Sequence, residues 1–269
     1  MKTAQKSLYS TLTWLAGLAM FAPIAWMFLT SIKTEEVAIA APPALVFAPT
    51  LEHYRDIFNA DFLSFLGNSL LATVISTAFV IALAVPAAYA LSIRPVGAWR
   101  DALFFFISTN MMPAAAGIVP IYIIAKNLGI LNSVTLLIVL YIGMNLPLAI
   151  WMIRSFMIEV PIEIAEAARI DGAGQFREIA SIIVPLILPG IAATALLCGI
   201  FAWNEYFYAV NLTTTNSTLP IFLQKFLSFG KLYTAQVAAV ATLVNIPVIV
   251  AGWLAQKNLV RGLTFGAVK

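Results

Sequence analysis

Six stretches of the chain are apolar for long enough to cross a bilayer: Leu12–Ile32, Gly67–Leu91, Ala102–Ala125, Asn132–Ile153, Ile179–Asn204 and Ala235–Ala255. A span needs roughly 17 to 25 such residues, more than a buried core helix ordinarily uses. Each stretch is bounded by charged or turn-rich sequence. In hydrocarbon every backbone N–H and C=O must be paired within the protein, and these stretches are too long and too little alternating for barrel strands. The expected fold class is therefore all-α integral membrane, one transmembrane domain over residues 1–269 with six transmembrane helices. Composition agrees: of 269 residues, 62% are hydrophobic and 10% charged, against about 25% charged in soluble domains.

With six spans both termini lie on one side, and the basic residues sort into two sets. Lys2, Lys6, Arg94, Arg100, Arg154, Arg169, Arg177, Lys257, Arg261 and Lys269 fall on one side; Lys33, Arg55, Lys126, Lys225 and Lys231 fall on the other. The positive-inside tendency puts the first set, and both termini, in the cytoplasm. The net charge of +3 calls for no nucleic-acid partner. Ala38-Ile39-Ala40 imitates a signal-peptide cleavage site, but the apolar segment is too long for a signal h-region, and Lys33, Glu35 and Glu36 intervene. The first stretch is read as a retained membrane helix. Outside, Lys33–Leu66 and Phe207–Thr234 carry amphipathic patches suited to a membrane surface or a docking partner. Cys198 and His53 are each the sole residue of their type, so neither a disulfide nor a metal set is expected.

The connection between the fourth and fifth stretches, residues 154–181, reads as two short helices. Pro161 suits a first turn, Glu163 and Glu166 complement the positive end of the helix dipole, and Gly172 and Gly174 supply the freedom to stop it. Ala165, Ala167 and Ala168 make its surface thin enough to enter a groove of another protein, with Arg169 and Asp171 offering polar contacts. On helix physics alone, an ordinary amphipathic helix on the membrane surface is the favoured reading, by about two to one.

Within the spans, prolines at 23, 86, 113, 120, 147, 185, 189 and 247 put a breaker in every one, so bent helices enclosing a cavity are expected. Asn110, Asn145, Asn204, Glu205 and Asn245 are candidates for a polar translocation path or outer gate; for each Asn, interhelical hydrogen bonding is the competing role. No G-x-x-x-x-G-K-[S/T] loop occurs, and Gly230-Lys231 lacks the earlier glycine. This chain is not expected to hydrolyse ATP and has no expected catalytic residue.

The pattern Glu166-Ala167-Ala168, Gly172, then Ile182-Ile183-Val184-Pro185 resembles the "EAA" signature of binding-protein-dependent ABC importer permeases, with Val184 where Leu is usual. Across nearly the whole chain the layout resembles the maltose-permease type. The resemblance implies a type I importer fold whose cytoplasmic coupling helix, here Glu166, Ala167, Ala168, Arg169, Asp171 and Gly172, enters a cleft of an ATPase subunit. It also implies that the tail, residues 256–269 with Gly262, Thr264, Gly266 and Lys269, reaches the ATPase dimer. Its implied partners are a second permease subunit, two ATP-binding subunits carrying ATP and magnesium, and an extracytoplasmic solute-binding protein, all at a prokaryotic inner membrane. The runs Ser108-Thr-Asn-Met-Met-Pro-Ala-Ala115, Val119-Pro-Ile-Tyr122 and Gln256–Gly266 are similar to sorbitol and mannitol permeases, and Trp203-Asn204-Glu205 to carbohydrate permeases generally. The alternatives are an ion-gradient-driven secondary transporter, which ordinarily carries intramembrane ionisable relays, and an intramembrane enzyme, for which no acid–base or metal constellation is seen.

Overall fold

A computed structural model describes residues 2–59, 61–227 and 233–265. Among these the chain is entirely helical. In order, the helices are α1 (Lys2–Ser31), α2 (Glu35–Ala38), α3 (Glu52–Asn59), α4 (Phe62–Ala90), α5 (Trp99–Asn110), α6 (Ala114–Asn127), α7 (Val134–Ile158), α8 (Ile162–Ile170) and α9 (Gln175–Arg177). A π-helix (Glu178–Ile183) follows, then α10 (Val184–Leu186), α11 (Leu188–Trp203), α12 (Phe207–Leu212), α13 (Leu219–Gln224) and α14 (Thr234–Phe265).

Four of these are long and apolar enough to span a membrane: Lys6–Ser31, Phe62–Ala90, Val134–Ile158 and Thr234–Gln256. The other two expected spans are not single rods. Trp99–Asn110 and Ala114–Asn127 meet at 89°, and Gln175–Leu186 and Leu188–Trp203 at 82°, so the count reaches six when each bent pair is one span. Pro113 sits in the first break, and Pro185 and Pro189 flank the second. Each lacks a backbone donor and so leaves a gap in the helical hydrogen-bond ladder, although Val184, just before Pro185, keeps α-helical angles. Pro23, Pro86, Pro120, Pro147 and Pro247 instead ride inside continuous helices.

Two compact units divide the chain: Met1–Leu63 with Phe222–Pro247, and Ser64–Ile221 with Val248–Lys269. In the first, the apolar stretch of α1 has no buried residue before Thr30 and Ser31 at its end, as suits a helix that lipid or another subunit covers. The loop after it is tightly tied. The buried Lys33 donates from Nζ to the Ala44 carbonyl and lies over the rings of Trp26 and Phe47, while His53 Nε2–H donates to the Lys33 carbonyl. Glu35 accepts from the Ala235 and Gln236 amides at the start of α14, where the helix dipole favours an anion.

The second unit is built around α7, which packs on α5 and on α11. Its core joins Val80, Ala84 and Ala88 of α4, Ile150, Ile153 and Met157 of α7, Ala165 of α8, and Ile183 and Cys198. Burial of Met157 explains why α7 runs five residues beyond Ile153, so that the connection to α8 begins at Glu159. At Gly190 an added Cβ would stand 2.3 Å from the Phe156 ring, so the absent side chain is what lets α11 approach α7.

Candidate functional site

Helix α8 stops at Gly172, which has φ +79°. Gly172 N–H donates to the Arg169 carbonyl and Ala173 N–H to the Ala168 carbonyl, the paired bonds of a Schellman cap, with glycine at the left-handed position. Pro161 lies just before the first helical residue rather than in the first turn. Ala165 and Ala168 are buried against this chain, whereas Glu163, Glu166, Ala167, Ile170 and Asp171 are exposed. The thin alanine surface is thus divided, with Ala165 and Ala168 seating α8 on its own protein and Ala167 facing away.

Arg169, a candidate for polar contact with a partner, turns inward onto Glu178. Its Nε donates to Oε2 at 3.1 Å and its Nη2 to Oε1 at 2.8 Å, a two-pronged charge-assisted pair. That bonding to Glu178 holds the guanidinium above its ordinary pKa, so it stays charged at every physiological pH. Glu178, wholly buried, also accepts from the Tyr89 hydroxyl at 2.7 Å and from Arg94 Nη2 at 3.0 Å. One carboxylate therefore holds the end of α4, the turn after it and α8. Sequence reasoning passed over Glu178, Tyr89 and Arg94. The available signal was an acidic residue beside a long apolar run, where ionisable groups have partners or functions.

At the other end of α11 the candidate path residues come together. Asn110, Asn145, Asn204 and Glu205, with Phe201 and Phe207, line a cavity of about 470 Å³. A neighbouring cavity of about 340 Å³ shares Asn110 and Met144 with it and lies along the break between α5 and α6. Asn145 and Asn204 each donate from Nδ2 to the carbonyl one turn back, Tyr141 and Ile200 respectively. Asn245 belongs to the other compact unit, where its Nδ2 donates to the Ala241 carbonyl.

Glu205 is 8% exposed. Its Oε1 accepts from the Tyr208 amide at 2.7 Å and its Oε2 from the Ala209 amide at 3.3 Å, so the carboxylate caps the first turn of α12. Nearby, Asn132, at φ +57°, gathers the turn after α12: its Oδ1 accepts from the amides of Thr214, Thr215 and Asn216, and its own amide donates to the Leu212 carbonyl. Asn is among the few residues that take this left-handed conformation readily. Asn68 donates to the Ser217 carbonyl and Ser69 accepts from the Leu219 amide, which fastens the same segment to α4.

Of the tail residues, Gly262 and Thr264 lie on the last turns of α14; Gly266 and Lys269 lie outside the described residues, as does Lys231. No group of three or more metal-ligating side chains occurs among the described residues.

Residues 81–264 match the family model described as the binding-protein-dependent transport system inner membrane component. The chain belongs to this family. Relatives of this permease include the diacetylchitobiose uptake system permease protein of Streptomyces coelicolor, 34% identical across 92% of this chain and 91% of its own. The trehalose transport system permease protein of Mycobacterium tuberculosis is 33% identical across 96% and 95%. A solved structure, a bacterial ABC transporter involved in import of the acidic polysaccharide alginate, superposes with TM-score 0.77 at 23% identity, over 96% of this permease and 97% of that chain. The all-helical architecture is that of a type I ABC-importer permease, a multi-pass membrane subunit with a transport role.

Proposed function

We propose that this permease carries a neutral carbohydrate across the prokaryotic inner membrane by alternating access, driven by ATP hydrolysis on partner subunits. The observation that carries the reading is the open 470 Å³ cavity: three asparagines, Tyr206 and two phenylalanines line it beside Met144 and Leu148, and the charge of its one carboxylate is already engaged by the amides of α12. Amides and aromatic faces suit a hydroxyl-rich, uncharged solute. Relatives named for diacetylchitobiose and trehalose support the sugar class. Sorbitol or mannitol is the narrower reading, and it rests on the sequence runs alone.

In this reading α8 faces the cytoplasm, both termini lie there, and Glu163, Glu166, Ala167 and Ile170 form the face that enters an ATP-binding subunit, with Asp171 and Gly172 at its end. The tail from residue 256 adds a second contact through Gly262, Thr264, Gly266 and Lys269. A second permease subunit completes the membrane part, two ATPase subunits carry ATP and magnesium, and a solute-binding protein delivers the sugar outside. The test is a Glu166→Arg variant, checked for membrane insertion, then for ATPase co-purification and for uptake of labelled trehalose, maltose, sorbitol and mannitol by the whole complex. The expected result is normal insertion with ATPase association and uptake both lost. Association and uptake at parental levels would overturn the docking face, and uptake that persists when the partner ATPase is inactivated would favour an ion-gradient carrier.

A further inference from the structure

The four hydrogen bonds on Glu178 divide into two halves. One half is local: Arg169, nine residues away, grips both oxygens from α8. The other half reaches across the fold: Tyr89 closes on Oε1 from the end of α4, and Arg94 on Oε2 from the turn that follows. Both oxygens are therefore shared between the two halves, and displacing α8 must either break the Arg169 pair or draw on the Tyr89 and Arg94 bonds. These are also the only ion pairs among the described residues. Glu178 opens a π-helix, a local widening of the helical turn found frequently at functional positions.

From α4 the packing continues toward the cavity. A Cβ on Gly199 of α11 would lie 3.8 Å from Thr77 Oγ1 and 3.9 Å from Thr73 Cγ2, so α4 runs directly against the backbone of α11. Two residues on, α11 supplies Phe201 to the cavity, and Asn204 follows at its end. Helix α4 therefore links α8, through the Glu178 carboxylate, to the stretch of α11 that leads to the cavity wall.

We propose that Glu178 is a positioning residue and the joint through which displacement of α8 is passed to α4 and from there to the cavity. This rests on α8 being the ATPase-docking helix. The geometry allows the joint to be cut on one side only. A Tyr89→Phe, Arg94→Met double variant removes the donors of α4 and of the turn after it and leaves the Arg169 pair on Glu178, so no buried charge is stranded and α8 keeps its seat.

The experiment uses the assembled importer in proteoliposomes, with an Asn204→Cys reporter at the exposed end of α11. Cys198 is fully buried and does not compete for reagent. The rate of labelling by a membrane-impermeant maleimide is compared with and without ATP and vanadate, beside ATP turnover. With the α4 donors intact, nucleotide is expected to change the rate by about fivefold or more, the lower end of ordinary coupling between sites. In the double variant the response is expected to fall below about twofold while ATPase association and turnover persist, a separation that loss of structure alone does not produce. Tyr89→Phe alone, which removes one hydroxyl, gives an intermediate response and serves if the double variant does not assemble.

A full nucleotide response in the double variant, or in Tyr89→Phe where only that assembles, overturns the joint. Response, association and turnover falling together also overturn it, because the cluster is then only structural. A reporter indifferent to nucleotide with the donors intact overturns the joint at its output. Glu166→Arg separates this failure from failure of the docking reading: lost ATPase association beside an undiminished response in the double variant removes the joint alone, and retained association removes the docking helix on which it rests.

Discussion

Two buried glutamates bracket the run from the π-helix to the end of α11, and they are held by opposite means. Glu205 is satisfied locally, by backbone amides three and four residues further along the chain. Glu178 is satisfied by side chains from three separate segments, 9, 84 and 89 residues away in sequence. A carboxylate capping its own next helix organises one turn. A carboxylate gripped by distant donors organises the meeting of elements, and its loss is felt wherever those elements go.

The contrast is tested most strongly by Glu178→Ala, which strands two guanidinia and a hydroxyl. Removing one partner of a buried pair typically costs 3–5 kcal/mol, and with Arg94 and Arg169 side chains 39% and 30% exposed the lower end, about 3 kcal/mol, is expected. Thermal unfolding of the purified complex should show a clear fall in midpoint. A midpoint unchanged from the parent would mean that water satisfies the cluster as well as Glu178 does.

Next in size is Asn132→Ala, which sharpens the other side of the comparison. Asn132 performs for the α12 turn, through one amide oxygen, what Glu178 performs for α8: it collects donors from a segment more than 80 residues away. Alanine there leaves three amides without their acceptor and also takes a left-handed backbone badly, for an expected cost of about 2 kcal/mol. Hydrogen exchange at Thr214–Asn216 should accelerate while exchange in α8 stays as it was. Acceleration in α8 as well would show that the two ends are not independent.

Locality also explains what the sequence made legible. Helix α8 and its glycine stop are written in short-range patterns, as are the candidate path residues Asn110, Asn145, Asn204 and Glu205, each a polar residue in or beside an apolar run. The Glu178 cluster was not, because nothing within a few residues of Tyr89 or Arg94 points to position 178. The two bends were only half legible. Prolines announced breakers in every span, yet the chain passes helically through Pro147 and turns by 89° at Pro113. A missing donor permits a break, and the packing around it decides whether one forms. The direction in which Ala167 and Ala168 face was settled in the same way, by which residues α8 rests on.

Gly172→Ala separates the cap of α8 from its clamp. An added Cβ meets nothing within 4 Å, so the cost comes from φ +79° alone, about 1 kcal/mol. If the Glu178 cluster fixes α8, exchange should quicken at Asp171–Ala173 and remain slow from Ala165 to Arg169. Fraying along the whole helix would transfer the main positioning role from the clamp to the cap.

The smallest effect on stability should come from Glu205→Gln, and for that reason it is the most informative about transport. Glutamine keeps an oxygen at the place where Glu205 accepts from the Tyr208 amide at 2.7 Å, and it gives up chiefly the longer 3.3 Å contact to Ala209. The loss should be below about 1 kcal/mol, in the range of a single ordinary hydrogen bond. With α12 still capped and the complex still assembled, any fall in sugar uptake must arise from what the carboxylate presents to the cavity rather than from a disordered wall. Glu205→Asp supplies the reciprocal arm, since it keeps the charge and shortens the reach to α12. Uptake lost in Gln and kept in Asp assigns the charge a part in the path, whereas uptake kept in Gln and lost in Asp reduces Glu205 to the local cap that its hydrogen bonds describe.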